Sequence, residues 1–196
     1  MSIKGTNTTA DYLEFDRTLN LSLKELSNGK YYKVAFFIIV GIYTGLRISD
    51  ILRLKYKDFD SDTIEIIEQK TKKKRIITIN QNVKDAYKKL LQRLKTHSNR
   101  NLNDDFVFTS QKSTVYKARS INRILKVLLQ NKKNKDLHIS SHSLRKTFGR
   151  RVWEQNQESE KALIYLSDIF NHSNTGITRR YLGIRKQEIA DIYINL

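Results

Sequence analysis

Two histidines, several arginines and a tyrosine recur at helical spacings between residues 142 and 181. His142 and Arg145 stand three residues apart in HSLRKTFGRR, and Tyr181 follows His172 by nine residues in FNHSNTGITRRY. A guanidinium is a rigid fork of donors that fits phosphate oxygens, and a tyrosine hydroxyl can act as a nucleophile. The set could therefore hold a phosphodiester and attack it.

A transition state at a phosphodiester concentrates negative charge on the non-bridging oxygens, which two guanidiniums stabilise better than ammonium groups do. Arg145 and Arg47 are the candidate pair; Arg47 falls in a predicted turn, where the alternative is a surface residue that caps helix carbonyls. A free tyrosine is only about 0.1% ionised at pH 7, so Tyr181 needs nearby positive charge or must lose its proton during attack. The departing sugar oxygen needs a proton, which a hairpin lysine could supply.

Each of these residues also has an ordinary structural explanation. His142 could cap its own helix, His172 could satisfy a turn, and Tyr181 is one of ten tyrosines and could belong to the core. No histidine and carboxylate cluster has metal-ligand spacing, and no glycine-rich loop precedes a helix as nucleotide binding requires. The sequence therefore predicts neither a metal nor another cofactor, and the proposed chemistry needs none.

The composition predicts a polyanionic partner. The 196 residues include 37 Lys and Arg against 20 Asp and Glu, a formal charge of +17, and a basic groove releases counterions when it binds phosphates. Charge alone leaves ribosomal, membrane-surface and nuclease functions open. The absence of cysteine excludes disulfides and thiolate chemistry, and the apolar run YKVAFFIIVGIY is too short to span a membrane. With no signal peptide in the sequence, we expect a cytoplasmic protein.

The N-terminal half predicts an arm followed by helices. Residues 1–21 are polar and weakly patterned, as in an arm or linker, and a capping box predicts a helix from Ser22. Tyr31–Tyr43 is apolar on nearly every side, as a buried central helix would be. Ser49 could cap a short helix, and Asn82–Lys95 has the apolar spacing of an amphipathic helix.

Residues 63–80 predict a β-hairpin, because the β-branched runs TIEIIEQ and RIITIN flank the polar turn KTKKK. The cations of this region cannot pack inside, so they lie in water or follow a phosphate backbone. They are Lys70, Lys72, Lys73, Lys74 and Arg75. Further along, Asp104–Ser110 could be a short strand or an extended segment.

A basic helix is predicted within Gln111–Lys135, which holds eight basic residues and no acidic one. Its apolar face would comprise Ile121, Ile124, Leu125 and Leu128, and its outward face Arg119, Arg123 and Lys126. Positive charge on one side of a helix indicates a surface that faces DNA.

The C-terminal part predicts four more helices. In Ser141–Gln155, His142 and Arg145 share a polar face opposite an apolar stripe. Glu158–Phe170 is amphipathic and is followed by a break that contains His172. Short helices should then span Ile177–Tyr181 and Gln187–Leu196. The predicted fold is mixed but predominantly α-helical, with one small antiparallel β-hairpin.

Three motifs, in this order, resemble the conserved boxes of the tyrosine recombinase (phage integrase) family: TGLRISDILRL, HSLR, and NHSN followed by TRRY. The resemblance covers about residues 22–181 and implies the family's catalytic-domain fold, that of DNA breaking-rejoining enzymes. It places an acidic neighbour at Asp50 and the hairpin lysine five residues before Arg75, with Lys72 as the alternative. The catalytic residues that it implies are Arg47, Lys70, His142, Arg145, His172 and Tyr181.

The resemblance also implies a mechanism. Tyr181 would attack the scissile phosphate, form a 3′-phosphotyrosyl bond and release a 5′-hydroxyl, and a partner strand's 5′-hydroxyl would then attack that bond. The expected partner is double-stranded DNA, and no metal or ATP is required. Phe170 and Asn171 depart from the Leu-Gly pair common in the family. Candidate DNA contacts are Lys72, Lys73, Lys74, Arg75, Arg119, Arg123 and Arg179.

The resemblance divides the chain into residues 1–21, an N-terminal arm or linker remnant, and residues 22–196, a catalytic domain. The family's separate N-terminal DNA-binding domain would be absent, as in a fragment or a natural short form. Gln187–Leu196 would pack on a neighbouring protomer in a tetramer on DNA, with a monomer as the alternative for the isolated chain. We expect a prokaryotic, nucleoid-associated integrase of a phage or mobile element. A type IB topoisomerase-like enzyme and a non-cutting DNA-binding regulatory module are the competing hypotheses.

Overall fold

The computed structural model describes residues 10–95 and 102–195, and within these ranges the chain is mostly helical with one two-stranded antiparallel sheet. The helices are α1 (Phe15–Asn28), α2 (Tyr32–Thr44), α3 (Ile48–Ile51), α4 (Gln81–Lys95), α5 (Ala118–Leu129), α6 (Ser141–Gln155), α7 (Glu160–Phe170), α8 (Thr175–Leu182) and α9 (Ile184–Ile194). The strands are β1 (Thr63–Ile67) and β2 (Lys74–Thr78), and 3₁₀ turns lie at Tyr56–Phe59 and Lys132–Asn134. The predicted fold class is confirmed.

Helix α2 is the centre of the fold. Every residue from Val34 to Ile42 is buried, and the helix packs against α1, α4, α5 and α6. Around it the rings of Phe36, Phe59 and Phe108 form an aromatic core, with centroids 5.1 Å apart for Phe36 and Phe59 and 5.9 Å for Phe36 and Phe108. A helix that is apolar on all sides must be surrounded by other elements, so the buried central helix predicted from sequence is confirmed.

Helix α6 joins two hydrophobic cores. Its Leu144 belongs to the main core around α2, while its Trp153 belongs to a smaller core with Leu163, Phe170 and Leu182 of α7 and α8. Because both cores bury part of α6, its orientation relative to α2 and to α7 is set by apolar packing. The side chains on the remaining face of α6 are thereby held in place.

The predicted hairpin is confirmed, with Ile64 opposite Ile77 and Ile66 opposite Arg75. Ile64 and Ile77 are buried, whereas Ile67 and Ile76 on the other face are exposed. The alternation of a strand thus packs one face of the hairpin on the main core and leaves the other open.

The first helix begins seven residues earlier than the capping box predicted. Glu14 caps α1 by accepting hydrogen bonds from the backbone N–H groups of Asp16 (2.8 Å) and Arg17 (2.6 Å). Ser22 lies inside the helix and donates its hydroxyl to Thr18 O at 2.7 Å. A serine can cap a helix or bond back to the preceding turn, and here it does the second, so the predicted start was wrong.

Several other helix boundaries differ from the prediction: α7 begins at Glu160 and not Glu158, α8 begins at Thr175 and not Ile177, and the starts of α3 and α9 differ as well. Arg47, and not Ser49, is the N-cap of α3, and it caps without a side-chain hydrogen bond. The last helix begins at Ile184, three residues before Gln187, because the left-handed Gly183 (φ +78°) ends α8 and immediately precedes α9. Leu196 and residues 1–9 of the predicted arm lie outside the described residues.

The segment before α1 lies along the protein. Leu13 is buried and its N–H donates to Thr147 Oγ1 of α6 at 2.8 Å, while Asp11 N–H donates to His138 O at 3.1 Å. Among the helices described, none combines the length and the apolar character that a transmembrane span requires.

We predict that Leu125→Ala lowers the free energy of unfolding by about 2–5 kcal/mol, because it opens a cavity under α5 at a side chain that is 0% exposed. Val127→Ala on the same helix is the control, since Val127 is 63% exposed and its truncation should change stability by at most about 0.5 kcal/mol. Urea unfolding of both variants measures the difference. Equal losses would contradict the inward placement of Leu125.

Candidate active site

One pocket is lined by residues from four separate parts of the chain. Its walls are formed by Arg47, Lys70, Thr71, His142, Arg145, Lys146, Asn171, His172, Ile177, Arg180 and Tyr181. All six residues predicted to be catalytic are among them. The structure therefore brings the C-terminal motifs together with an arginine and a lysine that lie at least 72 positions before them.

Arg145 is buried on α6, with 4% of its surface exposed. One of its Nη atoms donates to Gly45 O and the other to Phe170 O at 3.1 Å, and its guanidinium lies 4.2 Å above the Phe170 ring. Burial lowers the pKa of Arg145 to about 10, and the neighbouring charge of Arg47 lowers it too. The group stays protonated at neutral pH.

Gly45 makes the approach of Arg145 possible. It ends α2 in the left-handed conformation (φ +60°), and a Cβ at this position would lie 2.5 Å from the Phe148 ring. Both the backbone and the space therefore require glycine, whose carbonyl then faces the Arg145 guanidinium.

Arg47 precedes α3 and is held by a buried carboxylate. Its Nη1 donates to Glu68 Oε2 at 2.7 Å and its Nη2 to Phe170 O at 3.2 Å. Glu68 also accepts from the Thr71 hydroxyl at 2.7 Å and lies 3.5 Å from Arg75 Nη1. Burial raises the pKa of Glu68, but its hydrogen bond from Thr71 and the two arginine charges outweigh burial and bring the pKa below the ordinary value.

The carbonyl of Phe170 accepts from both arginines at the C-terminal end of α7. This is the negative end of the helix dipole, so it favours two adjacent cations. Asn171 follows in the left-handed conformation (φ +53°) and turns the chain so that His172 enters the pocket. Asparagine tolerates this conformation better than most residues, which explains how it can stand where glycine is common in the family.

Buried Asp50 ties the hairpin turn to α3, because its Oδ1 accepts from Gln69 N–H at 2.9 Å. Lys70 follows Gln69 and lines the pocket, whereas Lys72 is left-handed (φ +60°) and not part of the lining, although both lysines are exposed. The structure thus distinguishes between the two lysines left open by the sequence, and it places Lys70 at the site.

The other hairpin cations have different surroundings. Lys73 Nζ donates to Asn171 Oδ1 at 2.8 Å, and Lys74 pairs with exposed Glu65 at 2.7 Å. Arg75, expected to face DNA, instead turns inward, donating to Thr44 O at 2.9 Å beside Glu68. Arg75 and Arg47 therefore share the Glu68 carboxylate, which helps to hold Arg47 in place.

The two histidines differ in their surroundings. Ser140 caps α6 and places His142 in its first turn, where the histidine remains exposed although neighbouring atoms displace part of its hydration. This desolvation lowers the pKa of His142, and so do the charges of Arg145 and Lys146. Burial lowers the pKa of His172 to about 4, helped by the charges of Arg145, Arg47 and Lys70.

The hydroxyl of Tyr181 is buried beside Arg145. Its ring contacts Phe170 and His172 with centroids 5.5 and 5.4 Å away, and Lys146 Nζ lies 5.3 Å from the ring centroid. Burial raises the pKa of Tyr181 to about 12, although Arg145 and Arg47 act in the opposite direction. The phenol is therefore protonated at neutral pH and must lose its proton to react.

Of the two arginines before Tyr181, the structure places Arg180 in the pocket, whereas Arg179 pairs with Glu160. Arg179 was predicted as a DNA contact, which the position of Arg180 in the pocket does not test. Ile177, Arg180 and Tyr181 recur at positions i, i+3 and i+4, so the helical spacing could have identified Arg180. Sequence reasoning also missed Glu68, Thr71 and Lys146.

On α5, Arg119, Arg123 and Lys126 are exposed and Ile121, Ile124 and Leu125 are buried, as the apolar pattern predicted. Leu128 is half-buried. Across the part of the chain that the structure describes, no group of three or more His, Asp or Glu side chains is arranged to hold a metal ion.

Residues 14–188 match the model of the phage integrase family. The chain belongs to this family. It is 34% identical to the probable integrase/recombinase YoeC of Bacillus subtilis (strain 168) over 162 residues, which are 81% of each chain. It is 28% identical over 157 residues to a tyrosine recombinase of Agathobacter rectalis, and these cover 78% of this chain but only 48% of that protein.

Solved structures share the fold. The XerA recombinase aligns over 94% of this chain and 64% of its own with a TM-score of 0.63 at 21% identity. The catalytic domain of bacteriophage HP1 integrase aligns over 88% and 86% with a TM-score of 0.53 at 20% identity. The chain is thus a tyrosine recombinase catalytic domain, a DNA breaking-and-rejoining enzyme, and none of these relatives favours a topoisomerase or a regulatory module.

We predict that Glu68→Gln lowers the free energy of unfolding at pH 7 by about 2–4 kcal/mol, because it leaves Arg47 and Arg75 without their buried counter-charge. The pKa of Glu68 lies below its ordinary value, so the carboxylate stabilises the folded state above the unfolded-state pKa and ceases to do so as pH falls through the folded-state pKa. The difference between wild type and variant should shrink below about pH 4.3.

Glu65→Gln is the matched control, since Glu65 belongs to the same hairpin and forms an exposed pair with Lys74. Exposed pairs contribute about 0–1 kcal/mol. Urea unfolding between pH 3 and 7 measures both variants. If Glu68→Gln unfolds like the wild type at pH 7, the carboxylate does not hold the arginines.

Proposed function

We propose that the chain carries out site-specific recombination of double-stranded DNA through a covalent 3′-phosphotyrosyl intermediate at Tyr181. The observation that carries the proposal is the convergence of two arginines, two histidines, a lysine and a tyrosine on one pocket. DNA as the partner is supported by the charge of +17 and by solved relatives, among them a XerH recombinase bound to a difH substrate and a Tn1549 integrase in complex with transposon DNA. At 21% and 22% identity, these two structures show only that the fold is shared.

Arg47 and Arg145 are proposed to bind the non-bridging oxygens of the scissile phosphate. Each guanidinium already gives one or more donors to fixed carbonyls, and the donors that remain can face the pocket. Because their positions are set before DNA arrives, little reorganisation is needed as charge develops in the transition state. His142 and His172 line the same pocket and complete the polar surroundings of the phosphate.

Tyr181 is the proposed nucleophile. Its oxygen forms the new bond to phosphorus as the bond to the 5′ oxygen of the DNA breaks. The phenol is protonated at neutral pH because its pKa is about 12, so during attack its proton passes to a neutral imidazole of the pocket, His142 or His172. Lys70 is the proposed general acid that protonates the departing 5′ oxygen. Its position on the hairpin turn, fixed through Asp50 and Glu68, supports this role.

Assembly on DNA is proposed to use α9. Its side chains Ile189, Ile192, Tyr193 and Ile194 are exposed, and a surface of this kind is suited to packing on a neighbouring protomer. A closed ring of four protomers on two duplexes is the proposed assembly, with the monomer as the state without DNA. Residues 22–196 would form the catalytic part of each protomer, and action on DNA would place the enzyme at the nucleoid of a prokaryotic cell.

The proposed DNA-facing surface contains the exposed cations of α5 and of the hairpin. They include Arg119, Arg123 and Lys126 of α5 and Lys72, Lys73 and Lys74 of the hairpin; Arg180 joins them at the pocket. Arg75 is half-buried beside buried Glu68, so we propose that it acts through the protein and not through DNA. Arg179 pairs with exposed Glu160, as Lys74 pairs with exposed Glu65, and such a pair can open to a phosphate, so Arg179 stays a proposed DNA contact.

We predict that Tyr181→Phe abolishes covalent attachment to DNA, because the nucleophilic oxygen is removed while the ring still packs on Phe170 and His172. The measurement is the covalent protein-DNA adduct formed on a duplex that carries the recombination site and a nick close to the point of cleavage. The short fragment with the new 5′-hydroxyl diffuses away, so the adduct cannot be resealed and accumulates. Tyr165→Phe on the exposed surface of α7 is the control and should form the adduct normally. An adduct with Tyr181→Phe would assign the nucleophile elsewhere.

Products joined between two duplexes support recombination, whereas relaxation of supercoiled DNA without such products would support a topoisomerase. Binding that falls steeply with salt and yields no covalent product would support the regulatory module.

We predict that Lys70→Ala slows cleavage of ordinary DNA by about 10²- to 10⁴-fold, measured with the enzyme saturated by DNA. Lys72→Ala removes only a proposed surface contact with DNA, so it should weaken binding but leave the cleavage rate at saturating DNA nearly unchanged. A substrate with sulfur in place of the departing 5′ oxygen tests the role of Lys70. A thiol has a pKa of about 8.5, so the thiolate leaves without a proton, and Lys70→Ala should cleave this substrate nearly as fast as wild type. A defect of equal size on both substrates would exclude Lys70 as the acid.

A further inference from the structure

Three hydrogen bonds lead from His172 into the space between α7 and α8. His172 Nδ1 lies 2.9 Å from Thr178 Oγ1, and Thr178 Oγ1 lies 2.8 Å from Ser167 Oγ. Ser167 Oγ lies 2.8 Å from the backbone oxygen of Leu163, one turn earlier in α7. Thr178 is 0% exposed and Ser167 6%, so these hydroxyls depend on one another for hydrogen bonds.

The direction of these hydrogen bonds follows from the proton count. A carbonyl oxygen only accepts, and a hydroxyl has one proton to donate. Ser167 donates its proton to Leu163 O, so between the two hydroxyls Thr178 is the donor and Ser167 the acceptor. Thr178 has then used its own proton, and it can only accept from His172. The proton of the imidazole therefore lies on Nδ1.

We propose that Thr178 and Ser167 are positioning residues that hold the His172 proton on Nδ1 and leave Nε2 as the ring nitrogen that exchanges a proton at the pocket. Nδ1 is turned to Thr178, and His172 lines the pocket beside Arg145 and Tyr181, so Nε2 is the nitrogen that can meet reacting groups. The chain of hydroxyls ends at a backbone carbonyl inside the protein and does not lead to solvent. Its role is to fix a tautomer and not to conduct protons.

The tautomer matters because the ring is neutral. The pKa of His172 is lowered to about 4, so at neutral pH the DNA-free protein holds an imidazole whose single proton could occupy either nitrogen. With the proton on Nδ1, Nε2 presents a lone pair and can accept a proton at the reaction centre; with the proton on Nε2, the ring could only donate there. If DNA binding protonates His172, Thr178 still accepts from Nδ1, so the ring orientation is kept in both states.

The tautomer is measured by ¹⁵N NMR of the DNA-free protein at neutral pH. In the wild type we expect the His172 resonances of a protonated Nδ1 and an unprotonated Nε2. Thr178→Val removes the acceptor, so the proton should move to Nε2, and Thr178→Ser should restore it to Nδ1. Ser167→Ala is the sharpest variant, because it frees the Thr178 proton to point at Nδ1 and should favour the Nε2 tautomer without altering any atom that touches His172.

Thr175→Val, at the N-terminal end of α8, is the control and should leave the tautomer unchanged. Adduct formation should fall on the order of 10- to 100-fold in Thr178→Val and recover in Thr178→Ser, as for other residues that orient a histidine. A wild-type resonance pattern with the proton on Nε2 overturns the proposal. An unchanged tautomer in Ser167→Ala also overturns it, and this reading remains informative if Thr178→Val fails to fold.

The expected loss of adduct formation in Thr178→Val rests on the proposed function. The assignment of the His172 proton to Nδ1 does not rest on it. A wild-type protein with the expected tautomer and no covalent adduct would contradict recombination while the positioning role stands. An adduct in the wild type together with the wrong tautomer would contradict the positioning role alone.

Discussion

Two guanidiniums held side by side next to one carbonyl are the constraint on which the site depends. Arg47 and Arg145 both donate to Phe170 O, and each needs a further fixed acceptor, Glu68 for the first and Gly45 O for the second. Adjacent cations repel and lose hydration when buried, so this arrangement persists only where oxygens surround it. A phosphate would supply the negative charge that none of the residues lining the pocket carries.

Meeting this constraint explains several features of the fold. Helix α2 must end in glycine so that its last carbonyl reaches Arg145, and α7 must end in a left-handed residue so that Phe170 O is free while His172 enters the pocket. Helix α6 is fixed between two hydrophobic cores, which determines where Arg145 stands relative to both carbonyls. The hairpin adds Glu68 and Lys70 through contacts of its turn with Asp50 and Arg47.

Charge is used in two ways by this chain. Most of its cations are exposed and spread over the surface, where they attract DNA at a distance and are screened by salt. Of those at the pocket, Arg145 is buried and Arg47 half-buried, and these two lower the pKa of both histidines and oppose the rise in the pKa of Tyr181. The same excess of positive charge thus serves affinity at the surface and protonation states at the site.

The sequence alone determined the elements and the chemical set. Apolar periodicity predicted α2, α4, α5, α6 and the hairpin, because burial of one face leaves a periodic trace. The family motifs singled out six of the residues that line the pocket, from Arg47 to Tyr181, but not Thr71, Lys146 or Arg180. Only the tertiary structure decided that Lys70 and Arg180 line the pocket while Lys72 and Arg179 do not, and that Arg75 points inward. Lysines and arginines have no periodic signal of their own, since the same side chain can lie in water or pair with a distant carboxylate such as Glu68. Their partners are set by which elements pack together, and this is a property of the folded chain.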